Sequence, residues 1–195
     1  MKASNLTKLA LAVAMALPLL ASAESNVVTG ANTLAPGARA RLDFQVVIPK
    51  VLFLQVGTGT LLADNTTIDG VTITVPAASV GAGSVAAPGS FNVRVVGNNG
   101  NIALTAATTG ALSNGIGDTI SFTQITGTGA TITHPTFVDG GTSAPVTITP
   151  NIGTKVTNLT DTWTFAYANA AVVPPGTYGS VNANNSRVTY TVTMP

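Results

Sequence analysis

The chain has 195 residues, of which only 8% are charged, compared with about 25% in an average soluble domain. Eight Lys and Arg residues, spread along the chain, are too few for the basic patch of a nucleic-acid-binding protein. One His without any Cys excludes a zinc site, a catalytic thiol and a disulfide. The 31 Thr and 15 Asn residues indicate a neutral, β-rich domain with a structural role.

Residues 1–23 have the features of a secretory signal peptide. Lys2 and Lys8 give a positively charged n-region, and an apolar run of about a dozen residues follows. This run is shorter than the roughly 20 residues that a membrane-spanning helix needs. Small residues then predict cleavage between Ala23 and Glu24. We therefore expect an exported protein whose mature chain has no membrane span.

A leader, residues 24–37, precedes an alternating segment at 38–48. The alternation places five apolar side chains on one face of a predicted strand: Ala40, Leu42, Phe44, Val46 and Ile48. Arg39, Arg41 and Asp43 lie on the opposite face, and Pro49 interrupts the pattern. The next run, Val51–Val56, is continuously apolar except for one Gln, which is typical of a strand buried on both faces.

Short strands separated by turns are predicted along the rest of the chain. The predicted strands are residues 67–75, 90–96, 101–107, 119–125, 145–149 and 161–168. The Gly- and Asn-rich turn at 97–100 predicts a hairpin, and residues 77–87 are predicted to form a loop. Apolar residues nowhere follow a helical period over three turns. The pattern predicts one all-β domain, residues 38–195, built as a sandwich or a barrel.

The last predicted strand, residues 187–194, also alternates. Its apolar face carries Val188, Tyr190, Val192 and Met194. Terminal residues usually fray unless they are paired. We therefore expect this strand to be docked within the fold.

The two ends of the chain resemble the subunits of chaperone–usher fimbriae. The resembling segments are RLDFQVVIP at 41–49, VLFLQV at 51–56 and VTYTVTMP at 188–195. The first two are most similar to the cysteine-free alpha-type major pilins of colonisation-factor fimbriae. FAY at 165–167 and PPGTY at 174–178 are also similar to pilin and immunoglobulin-like domains.

This resemblance implies an incomplete immunoglobulin-like β-sandwich that lacks its last strand. The N-terminal strand of the next subunit would fill the open groove by strand addition. The donor side chains would be Ala40, Leu42, Phe44, Val46 and Ile48. The acceptor edge, which would also contact the chaperone, would be Val188, Tyr190, Val192 and Met194.

The implied protein is a structural, non-enzymatic pilus subunit without a cofactor. Its partners would be copies of itself, a periplasmic chaperone, an outer-membrane usher and a host-surface receptor. It would pass through the periplasm to a fimbria on the cell surface and support cell adhesion.

Two alternatives stay open at this point. The donor could be residues 25–34, with 38–48 as an internal strand. The protein could also be a secreted monomeric immunoglobulin-like domain that binds carbohydrate or matrix, with 38–48 as its own first strand. That second function predicts a sandwich completed within one chain and an exposed aromatic patch.

The remaining reactive side chains do not form a recognisable catalytic or metal-binding motif. His134 has no nucleophile motif near it and is predicted to face solvent from a loop. The mature aspartates fit turns better than a calcium loop or a paired-carboxylate site. Trp163, Phe165 and Tyr167 share one strand face, and we predict that they lie in the core rather than bind sugars. The sequence therefore predicts no catalytic, cofactor-binding or metal-binding residue.

Overall fold

A computed structural model describes residues 24–30, 37–181 and 183–195. The signal peptide predicted at 1–23, with its cleavage residue Ala23, lies outside these ranges, as does part of the alternative donor at 25–34. The chain divides into two compact units, residues 1–48 and residues 49–195. No helix in the described ranges is long and apolar enough to cross a membrane.

The second unit is almost entirely β-structure, as the sequence predicts. Its strands are β1 (Leu52–Val56), β2 (Val85–Ala86), β3 (Phe91–Gly97), β4 (Ile102–Thr108), β5 (Leu112–Ser113), β6 (Thr119–Ile120), β7 (Ile125–Thr128), β8 (Gly141–Thr142), β9 (Val146–Ile148), β10 (Thr157–Tyr167) and β11 (Val188–Thr193). Two short 3-10 helices span Ala77–Ser79 and Phe122–Gln124. Every strand pair in the described ranges is antiparallel.

The larger sheet is centred on β3 and β10. Strand β3 pairs with β1 on one side and with the first part of β10 on the other. The last part of β10 pairs with two strands. Strand β2 lies on the same side of β10 as β3, and β7 lies on the opposite side of β10. Strand β1 is therefore one edge of this sheet.

The second sheet is centred on β4. Strand β11 pairs with β4 over its whole length, and β8 and β9 pair with the other side of β4. Strands β5 and β6 pair separately as a small two-stranded sheet. Strand β11 is therefore an edge of the second sheet.

The core lies between the two sheets, which gives a β-sandwich. Alternate residues of β3, β4 and β10 point inward, and their buried side chains include Val93, Val95, Ile102, Leu104 and Trp163. The row at Trp163, Phe165 and Tyr167 is buried, which confirms its predicted place in the core.

Several secondary-structure predictions are wrong. Residues 38–48 form no strand, and the 3-10 helix Phe122–Gln124 interrupts the strand predicted at 119–125. Residues 67–75 form no strand. The Asp69 carboxylate in this segment accepts hydrogen bonds from the Thr58 amide and hydroxyl. The turn at 97–100 is not a hairpin, because it carries the chain from β3 in one sheet to β4 in the other. Strand β1 is not buried on both faces, because it is an edge strand and its residues are half-buried or exposed.

Candidate functional site

Strands β1 and β11 are edge strands of different sheets, and they lie beside each other without pairing. Each strand has one paired edge, β1 with β3 and β11 with β4. Within the described residues, no strand pairs with the other edge of either one. An unpaired edge presents a row of N–H and C=O groups that can pair with another strand. We call the surface between these two edges the β1–β11 groove.

The inward side chains of the groove strands are apolar and incompletely covered. Leu54 and Val56 of β1 pack against the core, as do the predicted acceptor residues Val188, Tyr190, Val192 and Met194. All of them remain half-buried. In contrast, Val93 and Val95 of β3 and Ile102 and Leu104 of β4 are fully buried. The groove therefore has an apolar floor that the domain itself does not cover.

The structure brings the four predicted acceptor residues together on one face of β11, and it adds β1 as the opposite wall. Sequence reasoning missed this wall, because VLFLQV was interpreted as a fully buried strand. Gln55 in this run is the signal that one face is polar, since it alternates with the inward Leu54 and Val56.

Tyr190 holds β11 to the core of the domain. Its hydroxyl and Nε2 of His134 are 2.7 Å apart, and its ring centroid lies 5.1 Å from that of Trp163 in β10. Burial raises the pKa of Tyr190 above its ordinary value. The contact thus links the second sheet to the first through neutral groups.

His134 is buried, so the prediction that it faces solvent is wrong. Its relative exposure is 6%, and it packs edge-on against Phe137, Trp163 and Phe165. Burial lowers its pKa from the ordinary 6.5 to about 4, despite a smaller opposing contribution from the Pro135 backbone. It is therefore a neutral core residue at neutral pH.

Gly127 in β7 provides the space that His134 occupies. A Cβ atom at this position would lie 2.5 Å from the His134 ring. The missing side chain lets the imidazole pack directly on the strand backbone. A cleft of about 360 Å³ opens beside it, lined by Thr, Ile, Gly, Pro and Phe residues together with His134.

Asn98, in the turn between β3 and β4, holds the backbone that leads into β1. Asn98 Nδ2 donates to the Pro49 carbonyl over 2.8 Å, and Asn98 Oδ1 accepts from the Val51 amide over 2.9 Å. Nearby, the Asn99 amide nitrogen lies 3.2 Å from the sulfur of Met194. These contacts fix the start of β1 next to the end of β11.

The predicted donor residues lie in the first unit and are exposed. Residues 37–48 form no helix or strand, and the exposed fractions of Phe44 and Val46 are 86% and 82%. Ala40, Leu42 and Ile48 are also exposed. Their assignment as donor residues stays a prediction.

One ion pair lies within the first unit. Arg41 Nε and Nη2 donate to the two Glu24 carboxylate oxygens over 2.7 Å and 3.0 Å. The hydrogen bond from Arg41 lowers the pKa of Glu24. Both groups are exposed, so solvent screens the pair and it adds little stability.

Other charged groups have local structural partners. The Asp161 carboxylate accepts hydrogen bonds from the Thr131 and Ile132 amides over 2.6 Å and 2.7 Å. Desolvation raises its pKa, but backbone hydrogen bonds from Ile132, Thr131 and Thr162 outweigh that effect and lower it. In the described ranges no group of three His, Asp or Glu residues is placed to hold a metal ion.

No protein-family model, curated protein or solved structure matches this chain.

Proposed function

We propose that the protein is a fimbrial subunit that polymerises by strand exchange between copies. Residues 38–48 of one copy would enter the β1–β11 groove of the next. The observation that carries the proposal is the groove itself, which combines two adjacent unpaired strand edges with a half-covered apolar floor. Strand addition at such edges supplies backbone hydrogen bonds, and alternate side chains supply register.

The strand order supports this proposal. Immunoglobulin-type sandwiches have one sheet in the order A-B-E-D and a second in the order C-F-G. On the proposed assignment, the order β1-β3-β10-β7 would be A-B-E-D, and β4-β11 would be C-F. Among the described strands none occupies the position of G, beside the free edge of β11. That position is where a donor strand would lie.

The exposed apolar segment at residues 38–48 also supports the proposal. Five alternate apolar side chains, from Ala40 to Ile48, are exposed to solvent in a single copy. Burying a large apolar side chain contributes roughly 1.5–3 kcal/mol. A donor with four large members therefore gains a substantial free energy by entering an apolar groove, and the half-covered floor gains as well.

The low charge content is consistent with a subunit packed against copies of itself, because each buried ion costs desolvation free energy. A periplasmic chaperone would cover the groove before assembly, and an outer-membrane usher would place subunits into a surface fimbria. Export through the predicted signal peptide and a role in adhesion are parts of the same proposal.

No specific observation favours a sugar-binding function. The strand row that could stack on a sugar, Trp163, Phe165 and Tyr167, is buried in the core. We therefore propose no second function from it.

The test is a matched pair of substitutions in the donor segment of the mature protein. Phe44→Asp puts a carboxylate in the middle of the apolar face, and Val47→Asp puts one on the opposite face, in an equally exposed position. We expect Phe44→Asp to lower the polymer yield at least about tenfold, since a charge in an apolar groove costs several kcal/mol. Val47→Asp should change it little.

Polymer yield is measured by size-exclusion chromatography with light scattering after refolding. Circular dichroism of both variants provides the folding control, because the substituted residues are exposed and lie in the first unit, outside residues 49–195. Equal polymer yields for Phe44→Asp and the unsubstituted protein would contradict the proposal.

A further inference from the structure

Tyr190 connects the core to the free edge of β11, because its side chain and its backbone face different partners. Its hydroxyl contacts His134, and its partner in the ladder with β4 is Ala106. The Ala106 amide and carbonyl both bond to Ser143, on the side of β4 that is away from β11. Backbone groups in an antiparallel ladder point alternately towards the partner strand and away from it. The Tyr190 N–H and C=O therefore point to the free edge of β11.

The same alternation orients the rest of β11. Val192 also presents its backbone groups to the free edge, whereas Thr189 and Thr191 bond to β4. A strand added to this edge would bond to the backbone of Tyr190. The contact between Tyr190 and His134 thus holds the very residue that would receive the added strand.

The imidazole of His134 is enclosed by aromatic rings. The distances between ring centroids are 4.6 Å to Phe137, 4.6 Å to Trp163, 5.3 Å to Phe165 and 5.5 Å to Tyr190. Two of these rings belong to β10, which pairs with β2, β3 and β7, whereas β11 pairs only with β4 among the described strands. Of the two strands that supply rings, β11 is therefore the easier one to displace.

No charged group within the described residues compensates a proton on His134. Strands β7 and β11 contain no charged side chain, and the Tyr190 hydroxyl stays neutral because burial raises its pKa. The carboxylates of Asp161, on β10, and Asp139, which follows the His134 segment, accept hydrogen bonds from backbone amides instead. An added proton would be a buried charge without a partner, which is costly unless water reaches it.

We infer that His134 is a positioning residue for the acceptor strand, and that protonation of His134 releases β11 from the core. In the neutral ring Nε2 can accept a hydrogen bond from the Tyr190 hydroxyl, whereas in the imidazolium both nitrogens are donors. Outward movement of β11 relieves this conflict and lets water reach the charge. A strand bound to β11 would leave with it, and this last step rests on the proposed function.

The size of the effect follows from the two environments of His134. Its pKa is about 4 when the ring is buried and 6.5 when solvent reaches it. Between pH 7 and pH 5 the ratio of released to docked β11 should rise about twentyfold, because the released state binds the additional proton.

The first measurement is amide hydrogen exchange over β11 at pH 5 and pH 7, with β3 as the reference and with correction for the intrinsic exchange rates. All chains carry Phe44→Asp, so that assembly does not cover the strand. The variants are His134→Gln, which does not titrate, and Tyr190→Phe, which lacks the hydroxyl. Tyr178→Phe is the matched control, since the Tyr178 hydroxyl donates to the Pro174 carbonyl over 2.8 Å in a loop.

We expect β11 to exchange about twentyfold faster at pH 5 in the Phe44→Asp chain and in the Tyr178→Phe control, while β3 stays protected. His134→Gln should remove this change, and Tyr190→Phe should expose β11 already at pH 7.

Three results would overturn the inference. Exchange of β11 only together with β3 would show that the strand leaves only when the whole domain unfolds, and this comparison needs no variant at His134. Equal protection of β11 at both pH values would show that water reaches the ring through the cleft beside it. The same acceleration in His134→Gln would assign the effect to another group.

The second measurement separates this inference from the proposed function. Polymers without the Phe44→Asp substitution are labelled with two different dyes and mixed, and the rate of subunit exchange is measured at pH 5 and pH 7. We expect the rate to be about twentyfold higher at pH 5, and unchanged in polymers of His134→Gln. Absence of polymer would overturn the proposed function and leave the hydrogen-exchange result standing. Equal rates at both pH values, with β11 released in the first measurement, would overturn the release of a bound strand.

Discussion

Residues 38–48 and strand β11 have the same sequence pattern and different structures. Both alternate apolar with polar side chains over about four repeats. Strand β11 pairs with β4 along its whole length and turns its apolar face to the core. Residues 38–48 form no strand, and their apolar side chains are exposed.

This difference shows that alternation defines a face but not a partner. A strand needs a neighbouring edge for its backbone groups and a surface for its apolar side chains. The backbone of β11 pairs with β4, and its apolar side chains pack against the cluster that contains Trp163 and His134. On our account, residues 38–48 find both in a second copy of the chain.

We expect the largest effect on polymer yield from a substitution in the proposed acceptor strand, β11. Val192→Asp places a charge on the half-buried inward face of β11, and Thr191→Asp places one on its exposed outward face. We expect Val192→Asp to abolish polymer formation because a charged floor repels an apolar donor strand. Polymer yield after refolding is the measurement.

Thr191→Asp is the control for the change in charge and should leave most of the polymer intact. Circular dichroism separates a blocked groove from an unfolded domain. If Val192→Asp and Thr191→Asp both fold and lose polymer yield equally, the inward face of β11 has no special role in assembly.

A smaller effect, on the free energy of unfolding, is expected from the contact between His134 and Tyr190 of β11. The pKa of His134 is about 4 in the folded chain and 6.5 in the unfolded chain. Between these values the unfolded chain binds the additional proton, so the free energy of unfolding falls as the pH falls through this window. The free energy of unfolding should be about 3 kcal/mol lower at pH 4 than at neutral pH, since each unit of pKa difference corresponds to about 1.36 kcal/mol.

The measurement is urea unfolding at several pH values between 4 and 7, for the unsubstituted protein and His134→Gln. Glutamine can still accept a hydrogen bond from Tyr190 but does not titrate. His134 is the only His of the chain, and the rings around it carry no charge. The same pH dependence in both proteins would refute this assignment.

The smallest effect concerns the backbone beneath His134. Gly127→Ala forces a methyl group against the imidazole ring and should lower the free energy of unfolding by about 1–3 kcal/mol. Gly70→Ala is the matched control, because open space surrounds Gly70 and its backbone needs no glycine. Thermal unfolding measures both, and equal midpoints would contradict the packing described for His134.

The sequence was most informative where one strand lies between two others. The alternation of β3, β4 and β10 indicates both the strand and its buried face, since these strands have a core on one side and neighbours on both edges. The aromatic row at Trp163 is predictable for the same reason.

Prediction failed where the structure depends on residues that are distant in sequence. His134 looks like an isolated loop residue, but β10 and β11 provide most of the rings around it. The turn at 97–100 has hairpin composition, but β3 and β4 lie in different sheets, and Gly97 packs closely against Ile102 and Met194. The apolar face of β11 follows from alternation, whereas the position of β1 beside β11 depends on how the two sheets are brought together.

A disulfide between two different single-cysteine chains tests the central claim most directly, because the protein has no cysteine of its own. One chain carries Val192→Cys, and the other carries Leu42→Cys, Phe44→Cys or Val46→Cys, with Val47→Cys as the control on the opposite face. Neighbouring strands bring paired Cβ atoms within about 4.5–5.5 Å, close to disulfide range. We predict a cross-linked heterodimer for at least one inward position and little for Val47→Cys. Absence of the cross-link at all three inward positions, or equal cross-linking at Val47→Cys, would contradict strand exchange through the β1–β11 groove.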